Sequence, residues 1–291
     1  MEVGIGLPNA VPGTSGEQLI EWARRADAAS FSSLGTIDRV AYPNLEPLAA
    51  LAAAAAVTER IRLATTILIA PLRGSATMLA KQAASVHKIS GGRLVLGIAV
   101  GGREDDYAAA GADFGSRGDR FDRMLTEITG VWSGSDRSSG SSEDDGVGPD
   151  MAGSPPQLIV GGAVDAAFRR AAEHGDGWIM GGGTPEMLSE GREKMRAAWS
   201  DAGREGEPRV MALAYYSLGA DAQASAESYL GDYYAFLGEY AGQIAASAAK
   251  DEQTVKAYEQ AFEQAGCDEL IWFPCSSDPE QVDLLARAGA R

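Results

Sequence analysis

Residues 61–93, IRLATTILIAPLRGSATMLAKQAASVHKISGGR, join an apolar strand to an amphipathic helix and end on a Gly91-Gly92-Arg93 turn that opens another apolar strand. Leu63, Ile67, Leu68 and Ile69 give the first strand the β-branched, two-faced apolarity of a buried parallel strand. The helix repeats apolar side chains at Met78, Leu79, Ala83, Val86 and Ile89, a helical period. A strand, a crossover helix and a following strand of this kind make one unit of an α/β barrel.

Outward from that unit the same alternation recurs. Apolar strands are expected at Val3 to Leu7, Ser33 to Ile37, Ile61 to Ile69, Leu94 to Val100, Gln157 to Val160, Gly177 to Met180, Val210 to Leu218 and Glu269 to Phe273. Eight strands alternating with helices predict an α/β fold, a single (β/α)8 TIM barrel spanning residues 1–291. Helix starts are marked by Ser15-Gly16-Glu17, by Pro47 and by Thr184-Pro185-Glu186, where a capping residue precedes a first-turn proline. The segment 133–156, SGSDRSSGSSEDDGVGPDMAGSPP, is rich in Ser, Gly, Asp and Pro and reads as a flexible insertion. It follows a helix and precedes a strand, which puts it on the barrel face away from an active site.

Composition narrows the function classes. The 291 residues are 45% hydrophobic, enough for one barrel with a full core. With 41 acidic against 25 basic residues the net charge is −16, a field that repels phosphate backbones and anionic lipid surfaces, so neither nucleic acid nor membrane is an expected partner. No apolar run approaches the roughly 18 residues of a membrane span, and the N-terminus starts as a strand, so a cytoplasmic protein is expected. Cys267 and Cys275 form no CxxC pair and predict neither a disulfide framework nor a metal site. His87 and His174, the only histidines, are expected at the surface or at helix ends, without carboxylates at ligand spacing, which disfavours a zinc hydrolase. GxSxG and post-strand GxGxxG motifs are both missing, against a serine hydrolase or a Rossmann site.

Chemistry on such a barrel belongs to the loops leaving the C-terminal strand ends. After the fifth strand comes Gly161-Gly162-Ala163-Val164-Asp165, and after the sixth Gly181-Gly182-Gly183-Thr184-Pro185, each opening into a helix. Two such turns side by side bring backbone N–H groups and helix N-termini to one spot, an arrangement suited to phosphate. The other reading is that glycine simply permits the turn. The third strand holds Ala64-Thr65-Thr66-Ile67. The fourth runs into Gly101-Gly102-Arg103-Glu104-Asp105-Asp106-Tyr107, where Glu104 and Tyr107 are candidate pocket residues and Asp105 and Asp106 are expected to be solvated or capping. Tyr215 closes the seventh strand, and one long helix is expected to carry Tyr229, Tyr233, Tyr234, Phe236 and Tyr240. These aromatics read either as a packing face or as the wall of a pocket for an apolar or aromatic substrate.

From Ile5 to about Trp272, and most strongly from Ser33 to Trp132, the chain resembles the bacterial-luciferase-like family of flavin and deazaflavin (coenzyme F420) oxidoreductases. The resemblance implies a flavin-dependent enzyme, a cofactor phosphate held by Gly161, Gly162, Ala163, Gly181, Gly182, Gly183 and Thr184, and a cis Thr66–Ile67 peptide against the flavin ring, which places Thr65, Thr66 and Ile67 at the cofactor. It also implies a homodimer. Two departures bear on mechanism. The family's acid–base histidine after the second strand is Arg39 here, in Thr36-Ile37-Asp38-Arg39. An arginine holds an anion or steadies an oxyanion but does not shuttle protons. Asp38 and Arg39 either pair with each other as a structural ion pair or bind substrate, with Arg39 and Glu104 as the catalytic candidates and Asp38, Tyr107, Tyr215 and Tyr233 as substrate contacts. The luciferase arginine after the fourth strand is Val100, leaving phosphate to the backbone and Thr184 and predicting loose flavin binding. The expected function is a two-component monooxygenase using reduced FMN, supplied by a separate flavin reductase, and O2 on a small hydrophobic or aromatic substrate. The alternatives are an F420-dependent hydride-transfer enzyme and a non-catalytic flavin-binding subunit.

Overall fold

The computed structural model describes residues 1–134, 147–149, 151 and 154–289. Eight strands, β1 (Glu2–Gly6), β2 (Ser33–Thr36), β3 (Arg62–Ile69), β4 (Leu94–Ala99), β5 (Gln157–Gly161), β6 (Gly177–Met180), β7 (Arg209–Tyr216) and β8 (Glu269–Pro274), pair in parallel and close in chain order. Every expected strand lies within two residues of its place. The helices are α1 (Gly16–Ala28), α2 (Pro47–Ala55), α3 (Ala76–Ile89), α4 (Glu104–Ala109), α5 (Arg117–Ser133), α6 (Asp165–His174), α7 (Pro185–Asp201), α8 (Ala222–Tyr233), α9 (Tyr240–Ser247), α10 (Glu252–Gln264) and α11 (Glu280–Ala288). The predicted starts hold: Ser15 caps α1 in a reciprocal capping box with Gln18, Pro47 opens α2, and Thr184 caps α7 ahead of Pro185.

Two apolar layers follow from the two faces of each strand. The outer one packs Trp22, Leu51, Leu79, Leu125, Trp178 and Trp272 between sheet and helices. The inner one fills the barrel with Ala64, Val95, Ile159, Ile179, Met211, Leu213, Ile271 and Phe273. A Cβ on Gly97 would lie 2.1 Å from the Thr65 carbonyl oxygen, so β4 can approach β3 there only as glycine. Thr65 fixes that approach by donating its hydroxyl to the Gly97 carbonyl (2.7 Å) and accepting the Gly97 N–H (2.9 Å).

At the N-terminal strand ends the barrel is closed by charge. Glu269 is wholly buried and accepts from Ser32 Oγ (2.5 Å), Arg209 Nη2 (2.7 Å) and Arg62 Nη2 (3.3 Å), while Glu2 accepts from both arginines. Burial pushes the Glu269 carboxyl up, yet the Ser32 hydroxyl and the two guanidiniums outweigh it and leave it below its ordinary 4.5. This plug is structural and lies opposite the functional face.

Three expectations change. Most of the proposed insertion at 133–156 lies outside the described residues, but Met151 near its end is buried in the outer core. His87 is not at the surface: it is buried at the C-terminal end of α3, and burial lowers its pKa. The long aromatic helix after β7 is broken, α8 ending at Tyr233 and α9 starting at Tyr240. Between them run a single 3-10 turn over Ala235–Leu237 and Gly238 at φ 59°. Among the described residues no helix is long and apolar enough to cross a membrane, and no cluster of His, Cys, Asp and Glu is placed to hold a metal ion.

Candidate active site

The C-terminal strand ends gather most of the predicted residues. β3 shifts register against β4 between Thr65 and Leu68, and the Thr66–Ile67 peptide within that bulge is cis. Thr66 donates its hydroxyl to the Thr36 carbonyl (3.2 Å), so the side chains of both threonines are spent on neighbouring strands, and Ile67 is the residue of the bulge left partly open. Ile67 leans toward β5, its Cγ2 lying 3.1 Å from where a Cβ on Gly161 would be. The bulge and the first glycine turn therefore meet across β4.

Both glycine turns adopt backbone that favours glycine, with φ of 134° at Gly162, 115° at Gly182 and 140° at Gly183. A Cβ on Gly181 or Gly182 would meet nothing within 4 Å, so these residues border open space. Ala163 and Val164 are exposed, and Val164 begins α6 without a side-chain cap, the Ala167 N–H going to the Val164 carbonyl (2.8 Å). Trp178 holds the turn from behind, donating Nε1–H to the Gly162 carbonyl (2.6 Å). Such a corner can take an anion through backbone donors. Thr184 contributes less than expected, because its hydroxyl accepts the Met187 N–H and holds Glu186. Asp165 and Glu186 each put a carboxylate in a first helical turn here, and neither turn carries a compensating cation.

On the other side of the mouth, Asp38 and Arg39 do not pair with each other. Asp38 is buried at the end of β2 and accepts from the Ile69 N–H (2.8 Å) and Arg73 Nη2 (2.6 Å). Burial raises its pKa against the pull of Arg73. The Arg39 side chain, 4% exposed, donates Nε–H to Asp106 (2.7 Å) and Nη2–H to Asp105 (3.2 Å). The sequence reads Asp106 as solvated or capping. It is instead fully buried and also accepts the N–H groups of Val40 (2.8 Å) and Ala41 (2.7 Å), so the first turn of α4 clamps the loop after β2. Asp105 is shared with Arg103, whose guanidinium rests 3.8 Å over the Phe236 ring. Glu104 is exposed on the same turn. Tyr107 is no pocket residue: it is buried, packs edge-on against Phe114 and donates its hydroxyl to the Val100 carbonyl (2.5 Å).

A tyrosine cluster roofs the barrel. Tyr215 and Tyr234 share a hydroxyl hydrogen bond (2.8 Å), and Tyr233 meets Tyr42 edge to face at 5.2 Å and Tyr234 at 5.0 Å. Tyr215 and Tyr233 lie at the C-terminal strand ends, where the packing reading of the aromatics holds, since both pack on Tyr229 and on the inner core. Burial raises the pKa of Tyr42, Tyr215, Tyr233 and Tyr234. Tyr42 donates to Asp232 (2.7 Å), latching the loop after β2 to α8, and Arg39 lies over both Tyr42 (5.4 Å) and Tyr233 (5.5 Å). Sequence reading singled out neither Tyr42 nor Asn9, which fixes the end of β2 through the Ile37 N–H and carbonyl. A buried amide just after β1 was the available signal for Asn9.

Residues 1–284 match the model of the luciferase-like monooxygenases. The chain belongs to that family. An uncharacterized protein of Mycobacterium tuberculosis is 31% identical over 210 residues, 64% of this chain and 72% of that protein. Two solved structures share the luciferase-like barrel. One is an F420-dependent secondary alcohol dehydrogenase with an F420-acetone adduct (TM-score 0.78, 16% identity, 99% of this chain and 97% of that one). The other is the oxygenating constituent of 3,6-diketocamphane monooxygenase from Pseudomonas putida with FMN (TM-score 0.72, 18% identity, 98% and 96%). At these identities the likeness is one of fold.

Proposed function

We propose that this luciferase-like barrel is a two-component flavin monooxygenase, taking reduced FMN from a separate reductase and acting with O2 on a small hydrophobic or aromatic substrate. The observation that carries the reading is the composition of the mouth. It holds a fixed cation, Arg39, and phenols whose pKa burial has raised, but among the described residues no imidazole, since His87 and His174 end helices whose C-termini lie at the opposite face. A site without a group that exchanges protons near neutrality suits chemistry whose difficult steps the cofactor carries.

Reduced FMN, when bound, supplies the electrons and the oxygen-activating centre. The chain's own residues bind and orient. The backbone of Gly161, Gly162, Ala163, Gly181, Gly182 and Gly183 would hold the phosphate, beside the start of α6, which no side chain caps. Asp165, Glu186 and the missing cation predict weak retention, as a flavin exchanged with a reductase requires. Ile67 and the tyrosine roof exclude water above the inner core. Arg39, held by Asp106, can steady negative charge developing on a substrate oxygen. The test is anaerobic turnover with photoreduced FMN followed by an oxygen pulse, assayed for incorporation of labelled oxygen into aromatic and aliphatic candidates. Hydride transfer with the deazaflavin and no oxygen incorporation would replace this reading.

A further inference from the structure

Arg39 has one edge without a partner. Its Nε and Nη2 are taken by Asp106 and Asp105, while Nη1 is buried with no hydrogen-bond partner in a side chain only 4% exposed. An unpaired buried donor on a cation is costly, so it persists where something else is to fill it. The guanidinium is flanked by the rings of Tyr42 and Tyr233, which stand 78° apart. The groups nearest this edge are therefore aromatic faces, which suit a flat ligand.

Charge decides what that substituent is. Arg39 and Arg103 are balanced by Asp105 and Asp106, and the neighbouring Arg73 is outnumbered by Asp38 and Glu46. The surroundings of Nη1 carry no net positive charge, so a carboxylate would lose its hydration without electrostatic return. A neutral oxygen acceptor gains a charge-assisted hydrogen bond at far smaller desolvation cost. Resting on the functional reading above, we infer that Arg39 Nη1 is the specificity-determining donor for the carbonyl oxygen of a neutral, flat, aromatic or conjugated substrate, and that the site discriminates against the corresponding acids.

The test uses the full chain and three probes of one shape, acetophenone, ethylbenzene and benzoate, with dissociation constants from ligand-observed NMR. Acetophenone is expected to bind about tenfold more tightly than ethylbenzene, a difference of about 1.4 kcal/mol, and more tightly than benzoate. Arg39→Lys, which keeps the charge beside Asp106 but removes the third edge, is expected to erase the preference over ethylbenzene. The side-chain 15N resonances of Arg39 in the wild-type chain are expected to shift with acetophenone and not with ethylbenzene, a readout that stands even if the variant fails to fold. Equal binding of acetophenone and ethylbenzene, no binding of acetophenone, or tighter binding of benzoate overturns the inference. FMN binding to wild type, measured alongside, separates the two claims: FMN binding without ketone preference defeats only this inference, whereas its loss defeats the functional reading.

Discussion

Asp106→Asn tests the clamp at the mouth by exchanging a single heavy atom. In the wild type this wholly buried carboxylate neutralises Arg39 at 2.7 Å and accepts two backbone N–H groups, at 2.8 and 2.7 Å. The variant leaves Arg39 with Asp105 alone, a residue 44% exposed and shared with Arg103. Removing one member of a buried ion pair costs about 3 to 5 kcal/mol, and the lower figure applies because the asparagine carbonyl still serves the Val40 and Ala41 amides. Asp106→Ala orphans those amides as well and belongs at or above about 5 kcal/mol. For a chain of 291 residues about 3 kcal/mol corresponds to a fall in Tm of about 5 °C. The assay is thermal melting followed by circular dichroism, at one scan rate and neutral pH. Adding Arg39→Met to Asp106→Asn should recover much of the loss, because no buried cation is then left unpaired while the asparagine carbonyl still serves the Val40 and Ala41 amides. An Asp106→Asn melt within about 1 °C of wild type would refute the claim that this pair clamps the mouth, since even a modest buried-pair loss exceeds that shift.

Other outcomes follow from single contacts. Gly97→Ala would force a Cβ to within 2.1 Å of the Thr65 carbonyl and should cost more than about 4 kcal/mol, seen as loss of soluble protein or a collapsed melt. Glu269→Gln removes a carboxylate whose pKa is held below 4.5, so its stabilisation is complete above that pH and is lost as pH falls through the folded-state value. The melting gap between wild type and Glu269→Gln should therefore be wide at neutral pH and shrink as pH falls below 4.5 and through the lowered folded-state value. Gly181→Ala places its methyl in open space and should leave FMN affinity unchanged, whereas Gly181→Asp sets a carboxylate beside the phosphate corner and should weaken FMN binding by at least about tenfold in equilibrium titrations. Tyr42→Phe cuts the hydrogen bond to Asp232 and should speed hydrogen exchange at the C-terminal end of α8 without unfolding the barrel.

Local pattern carried the barrel. β3 and α3 announce themselves because doubly buried strands and one-faced helices leave different periods in the sequence, and Ser15, Pro47 and Thr184 mark helix starts through chemistry confined to a few residues. The cis peptide at Thr66–Ile67 came from family resemblance alone, since neither residue type demands it. Long-range pairing was illegible. Glu104-Asp105-Asp106 reads as a solvated helix start, and only the fold brings Arg39, 67 residues earlier in the chain, against Asp106. Asp38 and Arg39, neighbours of opposite charge, looked like a pair, but successive side chains at a strand end point apart and each found its own partner. Tyr107 kept its expected loop but turned inward to Val100, and the aromatic period after β7 ran on through Gly238, where the backbone does not.

The central claim is that the glycine corner and the tyrosine-roofed mouth serve a reduced flavin. Anaerobic equilibrium binding of FMN, reduced FMN and the deazaflavin cofactor to the purified chain and to Gly181→Asp tests it most directly. The account predicts preference for reduced FMN, lost in the variant; tight binding of the deazaflavin with none of either FMN form would contradict it.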